Sequence, residues 1–130
     1  MRNASFSLRK TIRGPVPRVP FEKMARTILG ARYELSLVVC GDSLAQKMNK
    51  AYRKRSYKSN VLSFPLSKNE GEIFLNLQCA KREAKRYDTT TLQKRLALLF
   101  VHGCFHLKGL RHGTRMEAAE RKALERFKLA

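Results

Sequence analysis

The sequence predicts one small α/β domain of the α+β kind, a mixed sheet of about four strands packed with about five helices. Three observations predict it. Four short stretches read as strands, while five longer ones repeat apolar residues at helical spacing. They follow one another as β-α-β-α-β-β-α-α-α, an order suited to helices laid against a mixed sheet. At 130 residues and 43% hydrophobic composition the chain is long enough for one packed core, with no linker, repeat or low-complexity stretch. A single domain over residues 1–130 is therefore expected.

Residues 5–12 alternate as a first strand, which Gly14-Pro15-Val16-Pro17 interrupts. Phe21, Met24, Ala25, Ile28 and Leu29 recur at i, i+3, i+4, i+7 and i+8, an amphipathic helix ending near Gly30. Glu34 to Cys40, ELSLVVC, is a short strand with a largely buried run. Gly41-Asp42-Ser43 supplies a turn and a cap for a helix striped by Leu44, Met48, Ala51 and Tyr52. The basic loop KRSYKSN leads to the strand VLSFP, closed by Pro65. SKNEG then turns the chain into EIFLN, tightly enough for antiparallel neighbours. Leu77, Ala80, Ala84 and Tyr87 mark a third helix. Thr89 to Thr91 can cap a long fourth helix whose segment LALLFV is apolar on every side, which implies burial. A last helix follows Thr114, with Met116, Ala119, Ala123 and Phe127 on one side. There Glu117, Glu120 and Glu125 dilute Arg121, Lys122 and Arg126 into an ordinary exposed surface.

Chemistry concentrates between Leu96 and His112, LALLFVHGCFHLKGLRH, which holds all three histidines. On a helix His102 and His106, four apart, project from one face. Gly109 can stop that helix and swing His112 back toward them. Three converging imidazoles make an open zinc-type site, with a fourth position for water or substrate. Zinc proteases share this spacing but place Glu, their general base, directly after the first histidine. This chain has Gly103 there, which argues against a peptidase. Cysteines 40, 79 and 104 form neither a disulfide framework nor a zinc pattern, so a reducing compartment is expected. Cys104 points away from the His102/His106 face and reads as core.

The 28 basic and 10 acidic residues give a net charge of +18, which calls for a polyanionic partner, nucleic acid before membrane. No apolar run is long enough to cross a bilayer, and no signal peptide is visible. The acid-free start would suit an organelle transit segment, but its alternation favours a strand, so a cytoplasmic location is expected. Lys50, Arg53, Lys54, Arg55 and Lys58 form one basic cluster, and Lys81, Arg82, Lys85 and Arg86 a second. Lys108, Arg111 and Arg115 surround the third histidine. The first cluster and the residues around His112 are the expected phosphate contacts. A metal that polarises a phosphoryl oxygen beside an arginine suits cleavage of a nucleic-acid backbone.

Met48 to Pro65, MNKAYRKRSYKSNVLSFP, resembles the Asn-x-x-Tyr-Arg and Val-Leu-Ser-Phe-Pro signature of the YbeY endoribonuclease family. GEIFLN, Gly71 to Asn76, resembles that family's next strand, and HGCFHLKGLRH its metal motif. The resemblance runs in order from about residue 34 to residue 120. It implies an α/β fold and one zinc ion per chain on His102, His106 and His112. It also implies a role in ribosomal RNA maturation at the small-subunit 3′ end and in ribosome quality control. By position Arg53 matches the family arginine tied to activity and RNA binding. Catalytic roles are thus expected for Arg53 and His102, and RNA contacts for Arg53, Lys54, Arg55, Lys58 and Arg111. Arg111 and Ser56 stand where relatives commonly have Asp, and Glu72 replaces the usual strand Asp.

The leading expectation is a zinc-dependent endoribonuclease that prefers single strands and acts on ribosomal RNA of the small subunit. The alternative is a non-catalytic RNA-binding ribosome-assembly factor in which zinc only braces the long helix. A different metallohydrolase ranks third. The family's usual carboxylates are missing beside the site, so the residues offer no obvious general base.

Overall fold

The computed structural model describes residues 5–87 and 90–130. Four strands, β1 (Phe6–Lys10), β2 (Glu34–Cys40), β3 (Val61–Ser67) and β4 (Glu70–Asn76), form one sheet in the order β1-β2-β4-β3. β2 pairs parallel with both β1 and β4, while β3 and β4 are the expected antiparallel neighbours. Among the described residues there are five helices: α1 (Phe21–Leu29), α2 (Asp42–Arg53), α3 (Leu77–Arg86), α4 (Leu92–Leu107) and α5 (Thr114–Arg126).

β2 explains the layering. Leu35, Leu37 and Val39 point into a large core with residues of α1, α4 and α5, while Val38 and Cys40 point the other way. On that second face they meet Ala45 of α2, Leu62 and Phe74. A strand covered on both faces has no solvent side, and the apolar run in ELSLVVC reflects this. Helix α4 is the hub, packing against α1, α3, α5, β3 and β4. Its all-round apolar composition follows: Leu96, Ala97, Phe100, Val101 and Cys104 are fully buried.

Several expectations shift. The first strand spans Phe6–Lys10 rather than 5–12, because it is an edge strand, exposed from Ser7 to Lys10. β3 does not close at Pro65. It runs to Ser67 with an irregularity in register between Pro65 and Ser67, where proline cannot donate to the ladder. On α2 the inward residues are Ala45 and Asn49; Ala51 is exposed and Tyr52 is 68% exposed. Tyr87 too is exposed.

The cap of α2 also differs. Gly41 occupies the cap position without a side-chain bond, and the Asp42 N–H donates instead to Gln78 Oε1 of α3 at 2.8 Å. The Asp42 carboxylate receives both guanidinium nitrogens of Arg82, at 2.7 and 2.8 Å, and Nδ2 of buried Asn76 at 3.0 Å. These partners, Arg82 foremost, hold its pKa down at about 2. Thr91 caps α4 by accepting from the Lys94 N–H at 3.1 Å; Thr89, also considered for that role, lies outside the described residues.

Candidate metal centre and its cleft

His102 and His106 leave one face of α4, and their Nε2 atoms approach to 3.1 Å. α4 ends in a Schellman arrangement: the Gly109 N–H donates to His106 O and the Leu110 N–H to Phe105 O, both at 3.0 Å. Gly109 takes φ +98°, a value that favours glycine, and Gly113 takes φ +147° at the start of α5. The reversal between these two glycines brings His112 back over α4. Its ring centroid lies 4.9 Å from that of His102 and 4.6 Å from that of His106.

One ligand atom from each histidine falls within a sphere where all are at most 4.8 Å apart. Tetrahedral bonds of about 2.0–2.1 Å would put imidazole nitrogens about 3.3 Å apart, close to the observed His102–His106 approach. The three side chains fit a single metal ion.

His102 has a further partner that the spacing of histidines does not reveal. Its Nδ1 donates to Glu120 Oε2 of α5 at 2.9 Å, and Glu120 is only 7% exposed. An ionised carboxylate only accepts, so the imidazole proton resides on Nδ1 and the Nε2 lone pair faces the site. This corrects the reading of Glu120 as solvated surface. Glu117 and Glu125 are exposed as expected, but Glu120 follows Met116 by four and precedes Ala123 by three, on the inward face. That spacing was the available signal.

His106 is held below the ordinary imidazole pKa. Burial is the main cause, followed by repulsion from His102, His112 and Arg53, against a backbone hydrogen bond at Leu110. Neutral imidazole is the form that binds metal.

Gly103 is fixed by packing. A Cβ there would lie 2.9 Å from Ser63 Oγ, 3.2 Å from Ile73 Cδ1 and 3.3 Å from Val61 Cγ2. The Ser63 hydroxyl donates to Gly103 O at 3.0 Å. This side of α4 rests on β3 and β4, so the position that carries the general base in zinc proteases has no room for a side chain. Cys104 is buried in the core, as expected, and burial pushes its thiol pKa far up.

The histidines open into a cleft of about 560 Å³, whose other walls include Arg53, Tyr57, Lys58, Asn60 and Glu83. Arg53 ends α2, and Lys54 after it turns the chain with φ +54°. The following loop is clamped to α2: Gln46 Nε2 donates to Ser56 O at 2.7 Å and buried Asn49 Nδ2 to Tyr57 O at 3.0 Å. Of the expected RNA contacts, Arg53 and Lys58 line the cleft. Lys54, Arg55 and Arg111 are exposed and do not line it. Tyr57, Asn60 and Glu83 were not anticipated from sequence. Their loop and helix meet only in the folded chain.

A family model described as endoribonuclease YbeY matches residues 8–130. An endoribonuclease YbeY of Mycoplasma capricolum is 37% identical over 71% of this chain and 68% of its own length. That of Mycoplasma mycoides is 40% identical over 61% of this chain, but only 54% of its own length is spanned. For a Sulfurovum relative of the same description the figures are 33%, 83% and 80%. A protein of Thermotoga maritima solved in solution shares the fold with a TM-score of 0.69. It is 19% identical, and the match covers 93% of this chain and 87% of that one.

Proposed function

The chain belongs to the endoribonuclease YbeY family, and from that membership we propose that it is a metal-dependent endoribonuclease of ribosomal RNA maturation. It is an enzyme, a nuclease acting on RNA phosphodiester bonds. The observation that carries the metal dependence is the cluster of His102, His106 and His112 within 4.8 Å, in the same cleft as Arg53. Zinc is the proposed ion, one per chain, because three imidazoles and an open position suit it.

When bound, such an ion supplies Lewis acidity at a phosphodiester. The chain's own residues bind and orient the strand. The Arg53 guanidinium holds a phosphate oxygen bidentately and offsets the charge that builds as the bond breaks, while Lys58 adds a mobile point charge. Glu120 keeps the proton on His102 Nδ1, so that imidazole cannot turn its N–H toward the substrate. A cleft of about 560 Å³ admits a nucleotide from a single strand more readily than a duplex. The proposed substrate is the 3′ end of small-subunit ribosomal RNA, and the proposed compartment is the cytoplasm. No helix among the described residues is long and apolar enough to cross a membrane.

The test is cleavage of a small-subunit 3′ RNA fragment, free or annealed to its complement, by wild type and by Arg53→Ala. The free strand should be cut and the annealed strand spared, and Arg53→Ala should be slower by about 100-fold. Equal cutting of both forms, or an unaffected variant, contradicts the reading.

A further inference from the structure

One end of the cleft has a chemistry that the histidines and Arg53 do not explain. Glu83 of α3 is the single carboxylate lining it among the described residues, in a chain of net charge +18. The Glu83 side chain is 17% exposed, and its oxygens are fixed separately. Arg95 Nε donates to Oε1 at 2.9 Å; Asn60 Nδ2 donates to Oε2 at 3.1 Å, with the Cys79 thiol at 3.8 Å from the same oxygen. Each carboxylate oxygen can accept two hydrogen bonds. Oε1 has one position open, and on Oε2 the second is taken only by the long contact of a weakly donating thiol, which a stronger N–H donor would displace. Arg95 precedes His102 by seven residues on α4, which sets this end about 10 Å from the histidines along the helix.

A carboxylate lining the cleft, even one paired with Arg95, favours an uncharged part of an RNA strand over a phosphate, and a base is such a part. Glu83 presents two acceptors side by side. Guanine alone among the four bases offers two adjacent N–H donors, N1–H and the N2 amino group, on its Watson–Crick edge. Adenine and cytosine each place a ring-nitrogen acceptor beside their amino group, which would face a carboxylate oxygen. Uracil has a single N–H between two carbonyls. Tyr57, 56% exposed and lining the same cleft, supplies an aromatic face of the kind on which single-stranded bases stack.

We propose that Glu83 and Asn60 form a guanine subsite for the RNA strand whose phosphate lies at the histidines, with Tyr57 against the base. The inference rests on the endoribonuclease reading above and adds a base preference to it. It treats Glu83 as a specificity-determining residue, with Arg95 and Asn60 as the groups that aim its carboxylate.

The test is binding of uridine octamers, with or without one guanosine scanned through the four central positions, by the full chain with chelator present to suppress cutting. At its best position the guanosine octamer should bind about tenfold tighter than the all-uridine one. Glu83→Gln should reduce that ratio to within about twofold, since a bidentate acceptor pair is lost. Because the ratio is taken within one protein, any change in phosphate affinity from removing the charge cancels. Tyr57→Leu, at an exposed position, is the second variant and should also narrow the ratio. A wild type without guanosine preference, or a preference retained by Glu83→Gln, overturns the subsite. Cleavage with metal restored is scored separately. Cutting without base preference leaves the endoribonuclease reading standing, whereas preference without cutting overturns that reading alone.

Discussion

Glu120 reaches the metal site through one hydrogen bond, and its replacement isolates that bond. Glu120→Gln keeps size and burial but lets the side chain present an amide, so the Nδ1 proton of His102 is no longer fixed by charge. Metal affinity, measured by competition with a chromophoric chelator, should fall by about 10- to 100-fold with the helical circular dichroism unchanged. His106 sets a pH dependence of definite sign. Its folded pKa lies below 6.5, so below that value the unfolded chain binds more protons than the folded one. Stability therefore falls as pH drops through 6.5 toward the folded pKa, and the effect of this group fades within about one unit above 6.5. The thermal midpoint of chelator-treated protein, followed from pH 7.5 to 5, should decline over that window, and substitution of His106 by Gln should flatten the decline. The histidine triad was legible in sequence because its spacing is local. Glu120 was not, because its partner lies eighteen residues away on another helix and only the inward spacing of Met116 and Ala123 hints at it.

Helix α2 and the loop after it form one unit. Gln46 and Asn49 hold the backbone of Ser56 and Tyr57, which places Arg53, Tyr57 and Lys58 around the cleft. Asn49 is fully buried, so Asn49→Ala removes a buried hydrogen bond and leaves a small void; the expected loss is about 1–3 kcal/mol by denaturant unfolding. RNA affinity should fall further than stability alone explains, because the loop loses its anchor. An unchanged affinity would mean that the loop orders itself. The bounds of α1 and β2 agree with the sequence because apolar spacing within a single element decides them. Edges were harder. The stripe through Ala51 and Tyr52 was misplaced because α2 meets the sheet through the smaller Ala45 and Asn49, and Tyr52 instead stacks edge-on against Phe64 at 5.5 Å. Likewise, the α2 cap comes from Gln78, thirty-six residues away, which no local pattern announces.

Across the whole molecule, the class of mixed sheet and helices followed from element order, whereas the strand order β1-β2-β4-β3 depends on which helix covers which face. The charge of +18 implies binding that weakens with salt, and the structure separates its contributors. Arg53 and Lys58 line the cleft, while Arg82 is engaged by Asp42. For a short single-stranded RNA, log affinity should fall linearly with log salt, and Arg53→Ala should lessen the slope by roughly 0.7, the share of one phosphate. An unchanged slope would place Arg53 off the backbone. The claim that joins site, charge and family is metal-dependent cutting of RNA, and one measurement tests it most directly. The purified chain is incubated with a small-subunit 3′ RNA fragment as prepared, after chelation, and after zinc is returned, beside an identically prepared His106→Ala protein. Wild type should cut the RNA, chelation should abolish the cutting and zinc restore it, and His106→Ala should not cut. Equal cutting by both proteins, or cutting indifferent to chelation, would contradict it.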